Sequence, residues 1–293
     1  PNLLRLARGG GYDVLHFHLQ GANWLGKPLC ALVTRAPRVA HDHSSADLRF
    51  RGWWSLLPDG LCHLLSDRVV AVSAGVADFL AAREVVPRRK IAVVPNGVDT
   101  AAFAPASADE RARARAALGL APGDFVAGAL GRLAPEKNFA AVAAAARQCP
   151  GVRFVIGGSG PQEQALHRVV EGVDNCILAG RITDRAAFYA ALDVFVLSSL
   201  HEALPMTVLE AMASKVPVVV SDLEGVAAAL GDCGVLVPPG NPVQIAAQVR
   251  RLQDDPARRK SLAEGARRRV EECYGAAATA SKIEAVYREL CRG

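Results

Sequence analysis

The chain has 293 residues, 51% hydrophobic and 22% charged, with a formal net charge of +5 and a pI near 9.0. That length suits two domains, and the composition excludes a disordered or fibrous chain. With no apolar run as long as a membrane span and no visible signal peptide, a cytoplasmic protein is expected. Seven scattered cysteines, with no CxxC pair and no metal-ligand spacing, argue against a disulfide framework and for inert thiols. The positive charge suits an anionic ligand or an anionic lipid surface. The arginines are too dispersed, and too little interleaved with aromatics, to suggest nucleic acid.

Residues 1–105 alternate short apolar strands with helices. Val14 to Phe17, Val39 to His41, Val69 to Val72 and Ile91 to Val94 are the expected strands, each closed by polar or Gly/Pro residues. The alternation predicts a parallel sheet covered by helices. Four strands make a small domain, and the sequence opens with Pro1 inside a helical stretch, so the amino-terminal part of this domain is expected to be missing. The turn Pro95-Asn96-Gly97-Val98-Asp99 and the alanine-rich, polar stretch from Ala106 mark a linker.

A second domain is expected over 106–275. Its strands are Phe125 to Leu130, Arg153 to Ile156, Cys176 to Leu178, Val194 to Leu197, Val216 to Val220 and Val235 to Val237, a Rossmann-like series. Residues 276–293 form a terminal helix with Ile283, Val286, Tyr287 and Leu290 on one face, expected to pack back on the amino-terminal domain.

The chemistry concentrates between Ser198 and Ala213. The apolar run Val194-Phe195-Val196-Leu197 reads as a parallel strand buried on both faces. Pro205 is suited to a first helical position, because its missing N–H is one that a helix start leaves unpaired. A helix opening past the carboxyl end of a parallel strand aims N–H groups and positive dipole at the crevice there, a site for phosphate. Glu202 lies in the loop at that mouth and Glu210 about two turns along the helix. Carboxylates there suit sugar or ribose hydroxyls, which donate hydrogen bonds; the rival reading is an ordinary solvated helix face.

Earlier in the domain, the first strand runs into Gly131-Arg132-Leu133-Ala134-Pro135-Glu136-Lys137-Asn138. Arg132 and Lys137 can converge on one anion at the strand's carboxyl end, as a departing diphosphate requires, or they are two surface cations. The next strand ends in Gly157-Gly158-Ser159-Gly160, where glycine permits close backbone approach.

Together these pieces resemble the glycosyltransferase group 1 / family 4 enzymes of GT-B architecture, which carry a Glu-x7-Glu motif and retain anomeric configuration. The matching segments, over about 13–290, are Asp13-Val14-Leu15-His16-Phe17-His18, His41-Asp42-His43, Val70-Ala71-Val72-Ser73, Val94 to Asp99, Gly131-Arg132-Leu133 with Lys137, Gly157 to Gly160, Gly180-Arg181-Ile182, Glu202 with Glu210, and Gly234 to Gly240. The resemblance implies an α/β fold of two Rossmann-like domains, the first truncated in this chain. It implies that Arg132 and Lys137 hold the diphosphate of a UDP- or GDP-linked sugar, with Gly158 nearby. Glu210 would bond the ribose, Glu202 would face the donor sugar and phosphates, and Leu204-Pro205-Met206-Thr207 would cover them. Arg181 and Ile182 would touch the base through main chain. His43 would approach the reacting centre, with adjacent His41 as its rival; His16, His18 and His41 read as structural.

This chain departs from the pattern at two places. Many relatives carry Gly-Gly-x-Pro-Glu where this sequence has Glu224-Gly225-Val226-Ala227-Ala228, and the glycine-rich loop after the first strand has no counterpart in these residues; if the protein truly lacks that loop, and it does not merely lie outside these residues, catalysis should be lost or crippled. The reaction implied is sugar transfer from a nucleoside diphosphate sugar to a hydroxyl acceptor by a front-face route with retention. No metal ligands and no cofactor are expected. Arg49, Phe50, Arg51, Trp53, Trp54, Leu56 and Leu57 could rest at lipid headgroups, pointing to peripheral contact with the inner membrane face and a lipid-linked or envelope polysaccharide acceptor; a buried helix edge or oligomer contact fits them equally. The rivals to the whole reading are a sugar-nucleotide epimerase of the same architecture and an inactive nucleotide-sugar-binding protein.

Overall fold

The computed structural model describes residues 2–19, 21–43, 56–83 and 86–292. Its strands are β1 Leu15–His18, β2 Arg38–Asp42, β3 Arg68–Ala71, β4 Ile91–Val93, β5 Val126–Leu130, β6 Arg153–Gly157, β7 Cys176–Gly180, β8 Val194–Leu197, β9 Val218–Ser221 and β10 Val235–Val237. Each expected strand is present, its ends shifted by at most a residue or two. All pairings are parallel, in one sheet of order β1-β2-β3-β4 and one of order β10-β9-β8-β5-β6-β7.

The chain divides into two compact units. One is 1–97 with 202–204 and 277–293, and the other is 98–201 with 205–276. The second unit therefore begins at Val98, where the sequence placed the change near 105. Val98 N donates to Tyr274 O and Ala276 N to Val98 O, at 2.8 and 2.9 Å. The Arg267 guanidinium also binds the carbonyls of Thr100 and Phe103 at 3.0 and 3.1 Å. These long-range bonds cannot be read from local composition.

In the first unit the strands follow one another in spatial order. Right-handed crossovers that always step the same way put their helices on one face. On that face Phe17 and Leu15 pack with Ala7 and Cys30 from the helices Asn2–Gly9 and Lys27–Ala31. The opposite face would be bare, and the terminal helix Ala276–Cys291 covers it: Ile283, Val286, Tyr287 and Leu290 pack on Val39, Val70, Val94, Val14 and Ala92. The alternation of a strand sets this division, since Val39 and His41 face the terminal helix.

In the second unit β5, β8 and β9 are buried along their whole length, as strands covered by helices on both faces must be. The start of β8 is fixed by a half-buried charge network. Asp193 accepts from Arg111 and Arg115, each at 2.7 Å, and from Val126 N at 2.9 Å, with the Arg115 side chain only 6% exposed. Both arginines lie on the helix Ala108–Ala117, which begins with a reciprocal cap between Ser107 and Glu110.

Candidate active site

In the second sheet the chain goes from β5 outward through β6 to β7, then returns to the other side of β5 and continues through β8, β9 and β10. The reversal lies between β5 and β8. Loops leaving the carboxyl ends of strands at such a reversal diverge and leave a crevice, the usual ligand position in open α/β sheets. Two segments of the second unit leave these strand ends, 131–138 and 198–201, both within the stretches that the sequence singled out.

Polar bonds stitch these loops together. Ser198 Oγ lies 2.8 Å from Lys137 O and 3.0 Å from Asn138 O, and Leu200 N donates to Glu136 O at 2.8 Å. On the other side, Gly131 N donates to Gly157 O, Leu133 N to Ser159 O and Gly158 N to Gly180 O. Gly158 has φ +141°, and a Cβ there would sit 1.9 Å from Gly131 O, so only glycine lets the loops after β5 and β6 approach this closely. Ile182 packs over Gly157, at 2.6 Å from where a Cβ would stand, while Arg181 is exposed.

Arg132 and Lys137 thus belong to one short loop ending in a 3₁₀ turn at Pro135–Lys137. Between them stands an acid that the two-cation reading left out: Arg132 pairs with Glu136 at 2.5 Å, with the arginine side chain 67% exposed. An anion bound here would compete with Glu136 for the guanidinium.

The expected first helical residue needs correction. Pro205 is extended (φ −74°, ψ 123°) and precedes the helix Met206–Ala213 as its cap. Its ring sets a helical φ, but its ψ keeps it outside, while its carbonyl accepts from Val208 N and Leu209 N. Met206 and Thr207 supply the first-turn N–H groups, which have no intrahelical acceptors.

Glu210 is not on a solvated face. It is 1% exposed; its Oε1 accepts from Arg185 at 2.6 Å and its Oε2 from the Tyr189 hydroxyl at 2.9 Å. Burial pushes its carboxyl above the ordinary range, while the Tyr189 hydrogen bond and the Arg185 charge pull the other way. Arg185 also lies 5.6 Å over the Phe103 ring. A carboxylate has about four lone-pair positions, so two bonds still leave it able to accept from hydroxyls. Sequence reasoning missed Arg185 and Tyr189. The available signal was a helix start at Asp184-Arg185, capped by the Asp184 carboxylate, directly after the Arg181-Ile182 loop.

The remaining expected site residues, His43, Glu202 and Leu204, fall in the first unit. Asn96 joins two of them: it hydrogen-bonds the His43 side chain, and its Nδ2 donates to Leu204 O at 3.3 Å. Asn96 appeared in the sequence only as a turn residue. Glu202 is half-buried. Of the proposed lipid-facing residues, Arg49, Phe50, Arg51, Trp53 and Trp54 and the side chains of Leu56 and Leu57 lie outside the described residues.

Four histidines line the terminal-helix face at the carboxyl ends of β1 and β2. Register pairs His16 with Val39 and His18 with His41. The rings of His16 and His18 stack at 4.2 Å, and those of His41 and His43 at 4.1 Å. His18 Nδ1 lies 3.1 Å from His43 Nε2, and His16 Nδ1 bonds the Tyr287 hydroxyl. Burial, aided by the neighbouring imidazoles, lowers His41 to about 3 and His16 to about 4, and burial also lowers His18 and His43.

A parallel sheet that reverses between β5 and β8, beside a second parallel sheet, defines an open α/β class, and the comparisons place the chain within a family of it. Residues 1–102 match the family described as Glycosyltransferase Family 4, and residues 124–255 match Glycosyl transferases group 1. A D-inositol 3-phosphate glycosyltransferase of Streptomyces bingchenggensis (strain BCW-1) is 30% identical over 98% of this chain and 68% of its own length. A UDP-Gal:alpha-D-GlcNAc-diphosphoundecaprenol alpha-1,3-galactosyltransferase of Escherichia coli is 30% identical over 76% of this chain and 61% of its own. Among solved structures, Anabaena HepE in complex with UDP-glucose superposes with a TM-score of 0.89 at 21% identity, covering 98% of this chain and 81% of that one. The chain belongs to the group 1 / family 4 glycosyltransferases, and its fold is the two-sheet α/β GT-B type.

Proposed function

We propose that this protein transfers a sugar from a nucleoside diphosphate sugar to a hydroxyl acceptor, with retention of configuration. The observation that carries this reading is the stitched pair of loops at the β5/β8 reversal, which brings the Arg132/Lys137 loop against the segment leading to the Glu210 helix. In this reading Arg132 and Lys137 hold the diphosphate, whose charge grows as the glycosidic bond breaks, and the first-turn N–H groups at Met206 and Thr207 add to that field. Glu210, steadied by Tyr189 and Arg185, accepts from the ribose hydroxyls. Gly158, which lets the loops after β5 and β6 close on each other, lies beside the donor, and Arg181 and Ile182 contact the base through main chain. Glu202 and Leu204-Pro205 face the donor sugar, and His43 approaches the reacting centre. Positive charge on the protein stabilises the leaving group, so the route calls for no metal, and the leaving phosphate assists the incoming hydroxyl on the same face.

The names of the relatives support a UDP- or GDP-linked donor: one relative uses UDP-Gal, and a GDP-mannose-dependent alpha-mannosyltransferase of Mycolicibacterium smegmatis is 30% identical over 77% of this chain and 60% of its own length. The diphosphoundecaprenol-linked acceptor of the E. coli protein supports a lipid-linked acceptor used at the inner membrane face, in envelope or polysaccharide synthesis. Among the described residues no helix is long and apolar enough to cross a membrane.

The test is thermal stabilisation by a panel of UDP-, GDP- and ADP-sugars. A cognate donor at a hundred times its dissociation constant should stabilise by about 2.7 kcal/mol. Lys137→Ala and Glu210→Ala should each abolish most of that shift. A panel with no responder, or unchanged affinity in both variants, defeats the reading. The anomeric configuration of the product, read by NMR, decides retention.

A further inference from the structure

We propose that His16, His18 and His41 form a binding site for one divalent transition-metal ion of the zinc class, at the carboxyl edge of the first sheet. This goes beyond sugar transfer and does not depend on it.

The geometry comes from strand alternation and register. His16 and His18 are two apart on β1 and so share a face; β2 presents His41 on that face directly opposite His18. One ligand atom from each of the three imidazoles lies within 4.8 Å of the others. Nitrogens bound tetrahedrally to one zinc at 2.0–2.1 Å stand roughly 3.3 Å apart. Closing the difference takes ring rotation, chiefly of the exposed His18, whose contacts with His43 and His16 must adjust.

The polar accounting points the same way. His41 is 7% exposed, and both of its ring nitrogens lack a hydrogen-bond partner among the described residues, as does the buried His16 Nε2. Buried polar atoms are normally satisfied, and one cation among the three imidazoles takes His16 Nε2 and one of the two His41 nitrogens. The outer contacts already have the form of a metal site. Tyr287 holds Nδ1 of His16 and leaves Nε2 open, the arrangement by which a second partner fixes a ligating ring. The fourth position is left to water, since the His43 ring is already bonded to His18 and Asn96. Neutral imidazole donors with no carboxylate among the three select zinc, cobalt, nickel or copper over magnesium or calcium.

The test uses the tag-free full chain, stripped with a chelator, titrated with ZnCl₂ by calorimetry and with CoCl₂ by visible absorption. One ion should bind per chain, with the intense d–d absorption of four- or five-coordinate cobalt, and MgCl₂ should give no binding heat. His18→Asn and His41→Asn should each weaken Zn²⁺ by about tenfold or more. His167→Gln, on an exposed helix position, should bind as the wild type does. If His41→Asn does not fold by circular dichroism, the exposed His18→Asn decides alone. The proposal is overturned if the wild type does not bind, if His18→Asn binds with unchanged affinity, or if binding follows the exposed thiols and disappears in Cys273→Ser/Cys291→Ser.

Discussion

The two sheets are both parallel and both built from short apolar strands, yet only the second reverses direction among the described residues. The first steps steadily from β1 to β4, so its crossover helices share a face and the terminal helix must cover the other. The second turns back between β5 and β8, which opens a crevice and gathers two loops distant in sequence. Polar burial differs accordingly: the first sheet buries imidazoles against a helix, and the second buries a carboxylate beneath two donors and an arginine on a half-buried aspartate. Where a fold places its reversal thus decides which of two similar sheets gathers distant loops at its carboxyl edge.

Four measurements would break or sharpen this contrast. The largest effect should come from Asp193→Ala, which leaves the guanidinium of buried Arg115 uncompensated and frees Val126 N. We expect destabilisation of about 3–5 kcal/mol, measured by urea unfolding. A loss under about 1 kcal/mol would mean that the arginines do not fasten the helix Ala108–Ala117 to the start of β8.

Next is acid sensitivity of the first sheet. His41 ionises near 3 when folded against 6.5 ordinarily. A base with a depressed folded value contributes stability that is full above pH 6.5 and is lost as pH falls toward that folded value. For His41 the loss at pH 5 is about 2 kcal/mol. In chelator-treated protein, melting temperature should fall from pH 7.5 to pH 5, and less steeply in His41→Phe. Parallel curves for the two proteins would remove His41 as the cause.

A smaller effect is expected at the crevice. Tyr189→Phe takes one donor from a buried carboxylate, costing about 1–3 kcal/mol. If Glu210 grips the donor, the variant should also reduce stabilisation by the cognate nucleotide sugar. Unchanged donor affinity would leave Tyr189 a packing residue.

The smallest stability change belongs to Arg132→Ala, because its exposed pair with Glu136 is worth about 0–1 kcal/mol. Its expected consequence is weaker donor binding with melting of the free protein nearly unaltered. The reverse, a large fall in melting and unaltered donor affinity, would turn Arg132 into a structural residue.

Much of this molecule is legible in the chain. Continuous β-branched runs gave strand positions to within a residue or two, because burial on both faces leaves an unmistakable apolar stretch. The terminal helix face of Ile283, Val286, Tyr287 and Leu290 followed from helical spacing alone. Arg132 and Lys137 stood out because they share one loop at a strand's carboxyl end, and Glu210 because its helix opens just past another.

What the chain could not disclose is whatever depends on partners far away in sequence. Glu210 is buried because Arg185 and Tyr189, two dozen residues earlier, meet it across the β8 crossover. Asn96 acquires a role only when it reaches His43 and Leu204. The two His-x-His pairs become one cluster only through the register of β1 on β2. Periodicity fixes which face a side chain takes, since that is local geometry; which side chains then meet is set by strand order and packing, which only the folded chain supplies.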